Sequence, residues 1–249
     1  MITLKSKREV EIMRESSRIV AEILQALRPL CQPGITTAEL DRVAEEMTRK
    51  LGAQPAFKGY RGFPRTLCTS INHEVVHGIP ADREVKEGDI LGLDFGVVYN
   101  GYYGDSAITV PIGQVTPELK ELLQVTEESL HLGIQNMKPG NHLADISRAI
   151  QTHAESHGYS LVKDFGGHGI GKRLHEDPMV LNYVVNGRGI KLKAGLVLAI
   201  EPMVNMGGDQ VRILSDGWTV VTVDGKPSAH FEHTVAITEN GPEILSQVA

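Results

Sequence analysis

The stretch that most constrains the fold is residues 88–110, GDILGLDFGVVYNGYYGDSAITV. It reads as two strands meeting at Asn100-Gly101, the strongest short signal for a two-residue type I′ hairpin turn. Such a turn sets Asp94 opposite Ala107. Asp105 then lies two residues from the facing position, so the two carboxylates share one face as diagonal neighbours, about 7–8 Å apart at the backbone. Like charges held together beside apolar runs are costly unless a positive group sits between them. One or two divalent cations would supply it. The plainer alternative is a pair of aspartates on a solvated hairpin face.

The rest of the composition narrows the classes. In 249 residues there is room for two small domains or one larger α/β or α+β unit. A net charge of −6 argues against an electrostatic grip on nucleic acid or anionic lipid. Cys31 and Cys68 are the only cysteines, too few for a disulfide framework, and a reducing compartment is the expectation. The first residues mix Lys5, Lys7 and Arg8 with Glu9, Glu11 and Glu15, unlike a signal peptide. No apolar run approaches membrane-spanning length. A cytoplasmic protein is expected.

Taken in order, the chain echoes itself. Residues 6–30 place Ile12, Ile19, Ile23 and Leu27 on a helical stripe, with Ser6 and Glu9 as a capping box and Pro33-Gly34 beyond the end. A second helix is predicted over 37–51, with Gly52 as its stop. Glycine- and proline-marked loops, a strand over 66–71 and the hairpin follow. The second half repeats this order: a helix over 117–137 opened by Thr116-Pro117, then Pro139-Gly140 echoing Pro33-Gly34 at an offset of 106. Further on, residues 86–94 align with 193–201, and 105–110 resemble 232–237. Glu201 thus stands where Asp94 stands, and Glu232 where Asp105 stands. The echo implies two similar α+β halves, about 1–113 and 114–249, within a single domain and related by a pseudo-two-fold axis. Four carboxylates would converge where the halves meet, flanked by loop clusters 54–65 and 160–180.

These acids are hard oxygen ligands, and Gly167-His168-Gly169-Ile170-Gly171 adds an imidazole in a backbone that side chains cannot crowd. Four carboxylates are balanced by two divalent cations. A mixed carboxylate and imidazole set suits Mn, Fe, Co or Zn, and paired ions of this kind serve hydrolases, aminopeptidases among them. His77 and His175, each in a glycine- or proline-marked loop, are candidate contacts to a scissile carbonyl or tetrahedral intermediate, against the alternative of satisfied structural histidines. The other seven histidines, such as His131, His142, His153 and His157, are expected at the surface. Cys68 reads as a small apolar wall rather than a nucleophile. Trp218, Tyr60 and Phe63 could line an apolar pocket or pack the core. No P-loop, dinucleotide fingerprint or G-x-S-x-G elbow occurs.

The set His77-Gly78-Ile79-Pro80, Asp94, Asp105, 167–171 with His175-Glu176-Asp177-Pro178, Ile200-Glu201-Pro202-Met203 and Glu232-His233-Thr234 resembles the type I methionine aminopeptidases in order and spacing, over essentially the whole chain. The resemblance implies the α+β "pita-bread" (creatinase/aminopeptidase) fold, an antiparallel sheet covered by helices in two pseudo-symmetric halves. It implies that Asp94, Asp105, His168, Glu201 and Glu232 hold two metal ions, with Asp94 and Glu232 bridging, and that Glu201 doubles as proton shuttle. His77 and His175 would contact substrate and intermediate. Tyr60, Phe63, Cys68, Leu174 and Trp218 would shape a methionine pocket. The implied activity is removal of initiator methionine from nascent chains with a small second residue, by a monomer, with transient ribosome contact left open.

The chain looks like the short bacterial form, without a zinc-finger extension or the helical insertion of type II enzymes. Two rivals are an X-Pro dipeptidase or aminopeptidase P, for which the residues before Gly34 are expected to be too few, and a non-catalytic peptide-binding module, which would be expected to have lost ligands. Gly96, Phe165, Val76 and Leu174 depart from residues common in the family and bear on pocket size and rate.

Overall fold

Asn100 and Gly101 both take positive φ, 50° and 78°, and Tyr99 pairs with Tyr102 across them, so the hairpin closes as its sequence dictates. Asp94 lies opposite Ala107 and Asp105 opposite Gly96. The structure, a computed structural model, describes residues 2–248. Its α-helices are α1 (Lys7–Leu27), α2 (Thr37–Lys50), α3 (Pro117–Gln135) and α4 (Leu143–Ser156). Its strands are β1 (Gln54–Pro55), β2 (Leu67–Ile71), β3 (Glu74–Val76), β4 (Ile90–Tyr99), β5 (Tyr102–Pro111), β6 (Ser160–Leu161), β7 (Gly167–Gly169) and β8 (Glu176–Val180). They continue with β9 (Val197–Ile200), β10 (Met203–Asn205), β11 (Val211–Ile213), β12 (Val220–Thr222), β13 (Ser228–His230), β14 (Glu232–Thr238) and β15 (Gly241–Ile244).

The main sheet runs β1-β4-β5-β14-β9-β7-β8, with β2 added on β4 and β15 on β14, and its pairings are antiparallel. Helices cover each half. The buried stripe of α1 (Ile19, Val20, Ile23, Leu27) and Leu40 and Ala44 of α2 pack on Leu67, Leu91, Leu93 and Phe95. In the other half Leu122, Leu130, Ile134, Ile146 and Ile150 of α3 and α4 pack against Leu198, Ile200 and Val235. Each such valine, leucine, isoleucine or phenylalanine side chain, fully buried, contributes about 1.5–3 kcal/mol. The local signals hold: Ser6 Oγ accepts the Glu9 N–H while the Glu9 carboxylate accepts the Ser6 N–H, and Thr36 with Glu39 repeats the device on α2.

The echo is physical. The Gly34 N–H donates to Val85 O at 2.9 Å and the Gly140 N–H to Leu192 O at 3.0 Å. Beside them sit the isolated bridges Thr36↔Glu84 and His142↔Lys191. The halves meet at β5 and β14, whose ladder holds only Glu232↔Ala107 and His233↔Ser106. On either side a threonine hydroxyl takes over. Thr109 Oγ1 accepts the His230 N–H (3.0 Å) and donates to His230 O (2.7 Å); Thr234 Oγ1 accepts the Asp105 N–H (3.1 Å) and donates to Asp105 O (2.7 Å). Ser106 Oγ donates to Glu232 O at 2.6 Å. Side chains thus satisfy backbone groups that would otherwise be buried without partners.

The halves differ past β10. There the chain leaves its own half, and β11-β12 join β3 of the other, pairing Val220 with Val76. That sheet is anchored by Glu74, whose two carboxylate oxygens accept from the two terminal nitrogens of Arg83 at 2.6 and 2.7 Å.

Candidate active site

Four adjacent strands deliver the four acids. Asp94 is on β4, Asp105 on β5, Glu232 on β14, and Glu201 directly follows β9. The pairs Ile200↔His233 and Met203↔His230 lie in one register, so Glu201 faces Glu232. Asp105 and Glu232 are buried, 4% and 2% exposed, and Asp94 Oδ1, Asp105 Oδ1 and Glu232 Oε1 are buried without a hydrogen-bond partner. Burial raises the pKa of Asp94 to about 7. Burial first, then the neighbouring carboxylates, hold Asp105, Glu201 and Glu232 well above the usual range. Unpaired buried carboxylates are among the costliest groups a fold can hold, and they are retained where a cation or a proton compensates.

His168 completes the set. One ligand atom each from Asp105, His168 and Glu232 lie within 4.8 Å of one another. The His168 Nδ1–H donates to Gly169 O at 2.9 Å, which leaves the Nε2 lone pair facing Glu201 Oε1 (3.5 Å) and Asp105 Oδ2 (3.9 Å). Burial, then His175, lowers its pKa to about 3, so the ring is neutral and ready to ligate. The flanking glycines are required by packing: a Cβ on Gly167 would sit 2.2 Å from Ala199 O, and one on Gly169 2.2 Å from Asp177 O. Only glycine lets β7 press this closely between its neighbours.

All of the sequence-predicted site residues line one cavity of about 280 Å³, at the small end of ligand pockets, which run from roughly 300 to 1,000 Å³. Asp94, Asp105, His168, Glu201 and Glu232 line part of it; Tyr60, Phe63, Cys68, Leu174 and Trp218 supply much of the apolar wall. Trp218 meets Phe63 edge to face with ring centroids 5.1 Å apart, and His77 lies between Trp218 (6.3 Å) and Phe165 (5.8 Å). His77 holds a positive φ of 61°, an uncommon backbone state for a non-glycine residue and one that clusters at functional sites. Burial lowers its pKa to about 4. His175, at the exposed mouth, exchanges a 2.8 Å hydrogen bond between Nδ1 and the Tyr60 hydroxyl and stacks on the Tyr60 ring, while its centroid lies 4.2 Å from that of the tilted His168 ring; partial burial, then Arg61, lowers its pKa. Cys68 is buried, and its thiol is pushed up by burial and the surrounding acids, as befits a wall.

Two features escape the sequence. Phe57 also lines the cavity, and it accounts for Gly96: a Cβ there would stand 2.7 Å from the Phe57 ring. A larger residue at position 96 and this placement of Phe57 exclude one another. The expectation that seven histidines are surface residues fails for His230 and His233. His230 is 4% exposed with Nε2 3.8 Å from Glu201 Oε2, and His233 is half-buried behind the sheet with Nδ1 2.8 Å from Ser246 Oγ. The alternation of apolar and polar residues over 229–232 reads as a strand with one solvated face, so the sequence carries no signal for the burial of these histidines.

Comparison with known proteins agrees with this architecture. The model of the metallopeptidase family M24 matches residues 11–239. "Methionine aminopeptidase 1" of Bacillus subtilis is 54% identical over 248 residues, covering all of both chains. The crystal structure of methionine aminopeptidase from Thermotoga maritima superposes with a TM-score of 0.97 at 46% identity, again over all of both chains. Prolidase from Pyrococcus furiosus shares the fold at a TM-score of 0.80 and 24% identity, with this chain covering 99% of itself but 66% of the prolidase. The sheet of two similar halves read from the hairpin and its echo, and the pita-bread fold implied by the resemblance, are therefore the fold of a known group, and this chain belongs to metallopeptidase family M24.

Proposed function

We propose that the protein is a methionine aminopeptidase, a metal-dependent exopeptidase that removes N-terminal methionine from chains with a small second residue. The observation that carries this is the cluster of buried, partnerless carboxylate oxygens at the floor of a small apolar cavity. The donor set fits two divalent cations of the Mn, Fe, Co or Zn type: four carboxylates balance their charge, and the free His168 Nε2 adds a borderline ligand. Asp94, Asp105, His168, Glu201 and Glu232 would hold them. Bound there, such ions supply Lewis acidity toward a carbonyl oxygen and a nucleophile at neutral pH.

The chain's own groups do the rest. Glu201, facing the cavity between His168 and His230, carries a proton from the attacking water to the leaving amine. His77 and His175, both with pKa values lowered by burial, each offer an N–H to the substrate carbonyl or to the oxyanion that follows. With the Tyr60 hydroxyl donating to Nδ1, His175 carries that proton on Nε2. Phe57, Phe63, Cys68, Leu174 and Trp218 receive the methionine side chain, and the closeness of His77 and His175 excludes bulk at the next position. A hydrophobic slot discriminates by about 1–3 kcal/mol per methylene, so selectivity against larger residues rests on exclusion as well as contact. On this reading residues 1–249 act as one catalytic domain of two halves, and the continuous β4-β5-β14-β9 sheet supports that. The substrates are N-termini of nascent chains and peptides, met in the cytoplasm by a monomer.

The test is methionine release from Met-Ala-Ser by chelated protein and by protein reloaded with Mn, Co, Fe or Zn, with Ala-Pro and Gly-Pro peptides alongside. Metal-dependent release of methionine with the proline peptides untouched is the expected result. Cleavage of the proline peptides instead, or no release with any metal, rejects the reading.

A further inference from the structure

Glu201 sits between two imidazoles, and only one of them belongs to the ligand set. His168 Nε2 stands 3.5 Å from Glu201 Oε1, and His230 Nε2 stands 3.8 Å from Oε2. His230 Nε2 is buried with no hydrogen-bond partner. A buried nitrogen left in that state is costly. The backbone around it is fixed from two sides: Met203↔His230 pairs β10 with β13, and the Thr109 hydroxyl binds both the N–H and the C=O of His230. In this register Glu201 is two residues from Met203, which places the His230 ring diagonally against the Glu201 carboxylate on one face. The remaining gap closes to hydrogen-bond length with a carboxylate movement of about 1 Å.

We propose that His230 is a positioning residue for Glu201, its Nε2–H holding Oε2 and so fixing the carboxylate with Oε1 turned to the side of His168. Ligating carboxylates are commonly held by such outer partners, and removing one costs about 10–100-fold in metal affinity or activity. The inference rests on the reading of Glu201 as a ligand and proton carrier. A carboxylate free to swing would meet both tasks in fewer of its orientations, while substrate binding in the apolar slot would be unaffected.

The experiment uses full-length H230L, which keeps the bulk without a donor, and H230Q, whose amide can donate to the same oxygen. Chelated protein is titrated with Mn(II) by calorimetry, and kcat and KM for Met-Ala-Ser are measured on the reloaded enzyme. H230L is expected to lose about tenfold in Mn affinity and in kcat with KM unchanged, and H230Q to recover both to within about threefold. Unchanged affinity and kcat in H230L would overturn the proposal, as would H230Q failing as badly as H230L at a wild-type thermal midpoint. Should H230L not fold, H230N, too short to reach Oε2, takes its place with the same expectations. A wild type that binds Mn(II) more tightly than H230L yet releases no methionine would reject the proposed function and leave the positioning role standing.

Discussion

The two halves of the sheet present their acids on hairpins of very different build. In the first, Asp94 and Asp105 are joined by a two-residue turn, and the strands pair without interruption from Ile90↔Pro111 to Tyr99↔Tyr102. In the second, Glu201 and Glu232 face each other at the same depth, but the chain between them runs on through β10 and β13 and crosses to β3 of the opposite half. That excursion carries Trp218 to Phe63 and His77. What the halves share is the acid set at the seam. What they do not share is the wall of the cavity. Symmetry here serves the charge cluster, and the broken symmetry builds the pocket.

If the shared part is the metal site, loss of an acid from either half should be equally severe. Asp105→Ala and Glu232→Ala are each expected to lower kcat/KM for Met-Ala-Ser at least about 10³-fold, since a catalytic cation is worth several kcal/mol and each 1.36 kcal/mol is tenfold. Near-normal turnover in either variant would break the comparison. The unshared part should fail differently. Trp218→Ala is expected to cost about tenfold or more in kcat/KM, chiefly through KM, because one methylene of apolar contact is already worth that much. Calorimetric Mn(II) affinity should be unchanged in it. A variant that lost metal with its KM intact would place Trp218 in the wrong region.

A smaller contrast lies in how each half fixes its second helix. Asp41 and Ser147 are separated by the same offset of 106 that separates Gly34 from Gly140. Asp41 Oδ1 accepts the N–H groups of Thr66 and Leu67 at 2.8 and 2.9 Å, whereas Ser147 Oγ donates to Leu181 O at 2.6 Å. Asp41→Ala leaves two buried donors unpaired and is expected to cost about 2–4 kcal/mol, against about 1 kcal/mol for Ser147→Ala. Urea denaturation of the two variants measures both, and an equal loss would show that the halves are braced alike.

How much of this was legible in the sequence follows from the range of each signal. Asn100-Gly101 is a local instruction, and it set the register of Asp94 and Asp105 without outside help. Ser6 with Glu9 marked α1 for the same reason. Glu201 and Glu232 were found only because the echo superimposed them on the first pair, and His168 because glycines surround it. The docking of β12 on β3 was invisible, since a pairing between residues 144 apart, Val76 and Val220, leaves no local trace. His230 leaves no such mark, because a histidine in an alternating strand looks the same whether it faces solvent or a carboxylate. Phe57 was hidden behind Gly96: the absence of a side chain is read easily, but not what fills the space.

Four carboxylates from two halves are proposed to hold a pair of cations. Chelated protein titrated with Mn(II) in a calorimeter, with elemental analysis of the product, tests this directly. About two ions per chain are expected. At a free metal concentration near 100 times Kd the stabilisation is about 2.7 kcal/mol, a rise of about 5–10 °C in thermal midpoint. Binding of no ion, or an identical midpoint with and without metal, would contradict it.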